Sequence, residues 1–170
     1  MHMFKPEANF YGGHGIVGSQ VPLGTGIAFS NKYLNKNAVT FVFFGDGAVN
    51  QGQVYEAFNM AALWHLPVIY IILNDQGYGM VRHGQRMNKA EEVGAELPPI
   101  NFAEMAQAMG VKGHRIECWE DFSDIDPTEL QSPSGPILLD ILIDSEEIPP
   151  MKTRLDILKE SKHGVELAQL

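Results

Sequence analysis

Residues 39–80 read VTFVFFGDGAVNQGQVYEAFNMAALWHLPVIYIILNDQGYGM. Two apolar runs, residues 39–44 and 67–73, each lead into a polar, acidic tip: Gly45-Asp46-Gly47 after the first, Asn74-Asp75 after the second. The first run is β-branched and aromatic without polar alternation, which predicts a strand buried on both faces, and the second predicts another buried strand. Between them, residues 51–64 put Val54, Ala57, Phe58, Ala61 and Ala62 on one helical stripe, and Pro67 marks the return to extended chain. Strand, helix, strand in this order implies parallel pairing with a right-handed crossover. If the two strands are neighbours, both acidic tips lie at the carboxyl edge of the sheet, where open parallel sheets hold ligands.

The flanking sequence continues the alternation. Residues 18–33 are rich in small side chains and predict a helix, with Gly24 and Gly26 permitting close packing. Residues 74–99 read as a polar, Gly-rich connection. NFAEMAQAMG, residues 101–110, predicts a helix capped by Asn101 and stopped by Gly110. HRIECW (114–119) predicts a short strand, residues 126–130 a brief helix, and GPILLDILID (135–144) the last strand. The expected architecture is α/β, a doubly wound parallel sheet filling one domain over residues 1–150. Residues 151–170, around and after Pro149-Pro150, are expected to form a C-terminal helical tail.

Composition narrows the function classes. At 170 residues, with 45% hydrophobic and 19% charged residues, the chain has the balance of a globular protein. A chain of that size buries about 70% of its unfolded surface on folding. The net charge of −9 argues against nucleic acid as the main partner, since a phosphate backbone needs clustered Lys and Arg. The apolar runs are too short to span a bilayer, so no membrane partner is expected. One cysteine, Cys118, excludes an internal disulfide and reads as a small buried residue. A reducing, cytoplasmic setting is the default expectation, and an organelle matrix would look the same.

Gly-Asp-Gly alone reads equally as a tight turn or as part of a ligand site. Joined to Asn-Asp at the end of the next strand, it is more specific. Gly45 and Gly47 let the backbone approach a ligand, and a helix starting near Asn50 would aim its free N–H groups at the same place. Carboxylate, amide and backbone carbonyl oxygens suit a hard cation such as Mg²⁺, which keeps few protein ligands and bridges to phosphate oxygens. The residues themselves thus point to a Mg²⁺–diphosphate site.

The same residues carry a family resemblance. Gly45-Asp46-Gly47, followed after 26 residues by Asn74-Asp75, is similar to the thiamin-diphosphate binding motif. FYGGHGIVGSQVPLGTGIAFSNKY and GDGAVNQGQVYEAFNMAALWHLPVIYIILND, within residues 1–73 and the start of the next segment, resemble the alpha subunit of the pyruvate dehydrogenase decarboxylating component. Over residues 74–151, NDQGYGMVRHGQ, INFAEMAQAMGVKGHRI and GPILLDILIDSEEIPPM look more like the C-terminal domain of acetolactate synthase. Both resemblances imply the pyrophosphate-binding domain of a thiamin-diphosphate enzyme acting on pyruvate or a related small 2-oxo acid.

Position by position, the resemblance implies that Asp46 ligates Mg²⁺ and that Gly45, Gly47 and Ala48 approach the diphosphate. Asp75 stands where these families usually carry an asparagine, with the Gly77 carbonyl two residues later as a further metal ligand. Asn74 would replace Asp75 as ligand if the loop slipped by one residue. Gly15 and Val17 match positions along the aminopyrimidine and thiazolium side, and Met80 would add an apolar contact there. His14 either faces the diphosphate or substrate, or simply packs. His83 reads as a solvated histidine in a mobile loop. His65, His114 and His163 read as structural or exposed, His2 sits at the chain end, and Glu56 reads as a solvated or partner-facing helix residue.

Activation of thiamin diphosphate needs a glutamate beside the aminopyrimidine, which these families supply from a separate pyrimidine-binding domain or a beta-type subunit. No such domain is legible in the sequence, so a hetero-oligomer or dimer is expected. The Tyr-Arg-His-Gly-His-Ser type of segment that dehydrogenase alpha subunits carry after the last strand is replaced by SEEIPPM. That keeps an acetolactate synthase-like carboligase and a split decarboxylase open beside the dehydrogenase reading. A non-catalytic cofactor-binding or assembly module and a flavodoxin-like nucleotide binder are the alternatives of other classes.

Overall fold

The sheet forms where the sequence is most apolar. In the computed structural model, which describes residues 3–147, an antiparallel pair, β1 (Met3–Lys5) and β2 (Phe10–Gly13), precedes helix α1 (Gln20–Tyr33). The chain continues through β3 (Thr40–Gly45), the single turn α2 (Asp46–Val49), α3 (Gly52–Leu63) and β4 (Val68–Asn74). It then forms α4 (Gly79–Met87), α5 (Phe102–Ala108), β5 (Lys112–Ile116), α6 (Pro127–Gln131) and β6 (Ile137–Leu142). Strands β3, β4, β6 and β5 lie side by side in that order, all parallel. The expected tail, with Pro149, Pro150 and His163, lies outside the described residues, as does His2.

Strand order decides which face each connection covers. From β3 to β4 to β5 the chain advances across the sheet, and from β5 it turns back to insert β6. Right-handed crossovers place helices from the two directions on opposite faces. Accordingly Val42, Phe44, Val68, Tyr70, Ile72 and Leu138 pack with residues of α1, α3 and α5 on one face. Ile69, Ile71, Ile137 and Leu139 pack with Ile125, Phe122 and Leu130 on the other. The Tyr70 hydroxyl, buried between β4 and α1, meets the Thr25 hydroxyl at 2.7 Å, so this core aromatic keeps its polar tip satisfied.

Several expectations need correction. Strand β3 is an edge of the described sheet, and only one of its faces is covered: Phe41 and Phe43 are 53% and 58% exposed. The crossover at residues 119–131 lies over β4, β6 and β5 and does not reach Phe41 or Phe43 of β3. Residues 74–99 are no plain loop, since they contain α4, and His83 on that helix is buried, not solvated. β5 starts two residues before His114 and ends at Ile116. Cys118 is exposed: it caps a surface 3-10 turn over Trp119–Asp124, with its backbone N–H donating to the Asp121 carboxylate at 3.0 Å.

Helix α1 shows what the small residues are for. A methyl group on Gly24 would sit 2.3 Å from Val42 Cγ2, so the helix lies against β3 at a distance that only glycine allows. Gly26, the other glycine expected at a close contact, has no neighbour within 4 Å of that position. The two sites therefore respond oppositely to alanine. Gly24→Ala should destabilise the chain by about 1–3 kcal/mol through overpacking. Gly26→Ala should leave it unchanged or raise stability by up to about 1 kcal/mol. Denaturant unfolding of the two variants checks this, and equal effects would contradict the packing described.

Candidate functional site

Strands β3 and β4 pair in register with Gly45 opposite Leu73, so the two acidic tips emerge side by side. Asp46 begins α2 and is 3% exposed. Its Oδ2 accepts the Gly77 backbone N–H at 3.0 Å, which ties the first tip directly to the second. Burial first, and then the neighbouring Asp75 carboxyl by hydrogen bond and by charge, raise the Asp46 carboxyl from its ordinary range to about 6. Backbone N–H groups of Gly47 and Gly77 pull in the opposite direction without cancelling the rise. A buried carboxylate facing a second one is a donor set suited to a hard cation. Among the described residues no group of three or more His, Cys, Asp or Glu side chains forms, so such an ion would also need backbone or ligand oxygens.

The second tip is held by a residue far away in sequence. Asp140, on β6 beside Asn74, is fully buried. It accepts the Asn74 side-chain amide at 2.8 Å, the Phe102 backbone N–H at 3.0 Å and the Arg115 guanidinium at 2.5 Å. Asn74 Oδ1 in turn accepts the Gln76 N–H at 3.1 Å. Both ends of the Asn74 amide are thus committed to the fold, and the Asp75 side chain is the one beside Asp46. Beyond it, Tyr78 N–H donates to the Ala95 carbonyl at 2.7 Å and Leu97 N–H to the Gln76 carbonyl at 3.1 Å, clamping the loop from the other side.

Two neighbours of this loop were not singled out by sequence reasoning as part of a site. Arg82 on α4 is 7% exposed and pairs with Asp75 Oδ2 at 3.3 Å, with a second bond to the Ser145 carbonyl at 2.9 Å. Gly79 leaves room for this pair, because a methyl group there would lie 2.2 Å from Asp75 Oδ2. Tyr78 lays its ring beside Gly47 and its hydroxyl accepts the Asn50 side-chain amide at 3.3 Å. Position Arg82 four residues past Tyr78 on a helix was the available signal, hidden because residues 74–99 read as loop.

The remaining predicted residues border this centre to different degrees. Ala48 is buried in α2, and Gly47 is half-buried under Tyr78. Val17 is 60% exposed, and its carbonyl accepts from the Gln53 side chain at 3.5 Å, which sets the 15–18 loop against the start of α3. Gly15 is exposed in the same loop. Met80 is 46% exposed on the first turn of α4. His14 belongs elsewhere: its ring lies over Gly12 and lines a groove of 590 Å³ between the β1–β2 pair, α1 and the β3 edge.

The dehydrogenase E1 component family matches residues 1–101. The chain belongs to that family. The match runs well beyond residue 73, across the Asp75 loop. The pyruvate dehydrogenase E1 component subunit alpha of Rhizobium meliloti is 44% identical over 147 residues, 84% of this chain and 39% of that protein. The corresponding protein of Rickettsia bellii is 68% identical over 76 residues, 45% of this chain and 23% of its own length. The chain thus spans two-fifths or less of these curated relatives. Among solved structures, benzoylformate decarboxylase from Polynucleobacter necessarius shares the fold, with a TM-score of 0.71 and 18% identity over 82% of this chain and 26% of its own. The thiamine diphosphate-dependent 4-hydroxybenzoylformate decarboxylase of Rhodococcus jostii gives 0.64 and 27% identity over 75% of this chain and 23% of its own.

Two outcomes follow for this E1-family chain. Asp140→Ala leaves the buried Asn74 amide and Phe102 N–H without their acceptor and should cost about 2–6 kcal/mol in denaturant unfolding, at about 1–3 kcal/mol for each orphaned donor. Asp46 holds its proton more tightly folded than unfolded, so its contribution to stability is present below about pH 3.8 and lost as pH rises through about 6. Without divalent cation, the melting temperature of the parent relative to Asp46→Asn should therefore fall across that window. Parallel profiles for the two proteins would contradict the buried carboxylate pair.

Proposed function

We propose that this chain is the diphosphate-binding part of a thiamin-diphosphate- and Mg²⁺-dependent enzyme that decarboxylates pyruvate or a related 2-oxo acid. The observation that carries this reading is the meeting of Asp46, Asp75 and Gly77 at the ends of two adjacent parallel strands. Asp46 and Asp75 would hold the cation with the backbone at Gly77, while Gly45, Gly47 and Ala48 present main chain to the diphosphate. Thiamin diphosphate bound there supplies the electron sink for loss of CO₂ from the 2-oxo acid.

The chain's own share of the chemistry is binding and orientation. Asp140 and Asn74 fix the loop so that Asp75, not Asn74, faces the cation. Tyr78 lies over Gly47 and holds Asn50 through its hydroxyl, which fixes the main chain offered to the diphosphate. Gly15, Val17 and Met80 form the exposed rim, which suits contact with the rest of the cofactor at an interface. The activating glutamate comes from a partner pyrimidine-binding domain or beta-type subunit, in a hetero-oligomer or dimer. Bacterial and mitochondrial relatives favour the cytoplasm or an organelle matrix as its place. The likeness to two decarboxylases of known structure favours simple decarboxylation as the second reading.

Calorimetry tests the proposal on the full chain together with its co-purifying partner. Thiamin diphosphate should bind only with Mg²⁺ present, and Asp46→Ala should weaken binding about 100-fold or abolish it, as loss of a metal's anchoring ligand does. Affinity unchanged in that variant, or no binding by the parent assembly, would sink this assignment.

A further inference from the structure

An additional acid beside an anionic ligand is a liability. In a partly buried site two like charges at contact distance repel strongly. The resemblance implies an asparagine where this chain has Asp75, so one more negative charge faces the diphosphate than the family pattern carries. The counter-charge is in place: Arg82 is held 3.3 Å from Asp75 Oδ2 and anchored from behind by the Ser145 carbonyl at 2.9 Å. Arg82 is almost fully buried, yet its Nε has no acceptor among the described residues. A buried donor without an acceptor carries a cost that an apolar side chain at that position would avoid. A residue retained at such a cost is there for its charge.

We propose that Arg82 is a positioning residue that neutralises Asp75, so that the pair Asp75–Arg82 does in this chain what a neutral amide does in the related motif. The inference rests on the diphosphate-site reading above. Arg82 draws one Asp75 oxygen toward α4, and this leaves the other oxygen directed by geometry and not by repulsion from Asp46. The two positions form a unit: changing the acid to an amide removes the need for the arginine, and changing the arginine alone leaves two carboxylates uncompensated.

Titration of Mg²⁺ with inorganic diphosphate into the full chain and its partner reads this unit, since those are the groups this site faces. Arg82→Gln should weaken binding about tenfold, the size of a coupling of about 1.4 kcal/mol between contacting residues. Arg82→Gln combined with Asp75→Asn should return to within about twofold of the parent, and Arg82→Lys should lie between. A purely structural arginine would not be rescued by changing the acid, because its bond to Ser145 stays lost. A double variant that binds no better than Arg82→Gln, with the parent binding normally, overturns this inference alone. A parent that binds neither probe overturns both it and the function proposed above.

Discussion

The buried carboxylate of Asp140 is the constraint on which the site depends. An ionised group with no exposure to water survives only if its lone pairs are filled. Here they are filled from three directions: the Asn74 amide from the adjacent strand, the first N–H of α5, and the Arg115 guanidinium of β5. Those three donors belong to β4, α5 and β5, so one side chain sets how β6 sits between its two neighbours. It also fixes the rotamer of Asn74, and through Gln76 the path of the loop that follows. The position of Asp75 against Asp46 is downstream of all of this.

The loop is rigid for a second reason. Its outer side forms an antiparallel bridge between Gly77 and Glu96, which converts a turn after a parallel strand into a short two-sided ladder. A loop held from both sides has its path set by the fold, so on the proposed reading binding need not order it, and less affinity is lost to conformational entropy. The Arg86 guanidinium, paired with Glu92 and Glu146, adds a surface latch between α4 and the chain after β6. Exposed pairs of that kind contribute little to stability, about 0–1 kcal/mol each. The buried contacts, not the latch, hold the site.

Much of the framework was legible in the residues. The pairing of β3 with β4, the α3 crossover and the cap of α5 follow from β-branched runs, a helical stripe and Asn101 at the expected position. What escaped has identifiable causes. An apolar run without alternation does not tell an edge strand from a central one, so Phe41 and Phe43 read as buried. Helix α4 carries Arg82 and His83 inward, and a helix whose buried face is polar has no hydrophobic stripe to announce it. The role of Asn74 depends on Asp140, 66 residues later, a contact that no local pattern encodes. Cys118 reads as buried by residue type, yet its place before a 3-10 turn puts it in solvent.

The electrostatics of the strand ends also bear on the order in which ligands arrive. The first turn of a helix favours an anion by about 0.3–1 kcal/mol at an exposed site, and α2 is only one turn long. Each carboxylate opposes the same anion by several times that amount at contact distance. A diphosphate approaching Asp46 and Asp75 without a cation therefore meets net repulsion, even with Arg82 beside Asp75. On the proposed reading, a divalent cation between them would turn each carboxylate from an opponent of the diphosphate into a ligand. The sign of the interaction reverses on one ion. On the proposed reading, dependence on Mg²⁺ is thus a property of two side chains at neighbouring strand ends, present in the fold before any cofactor binds.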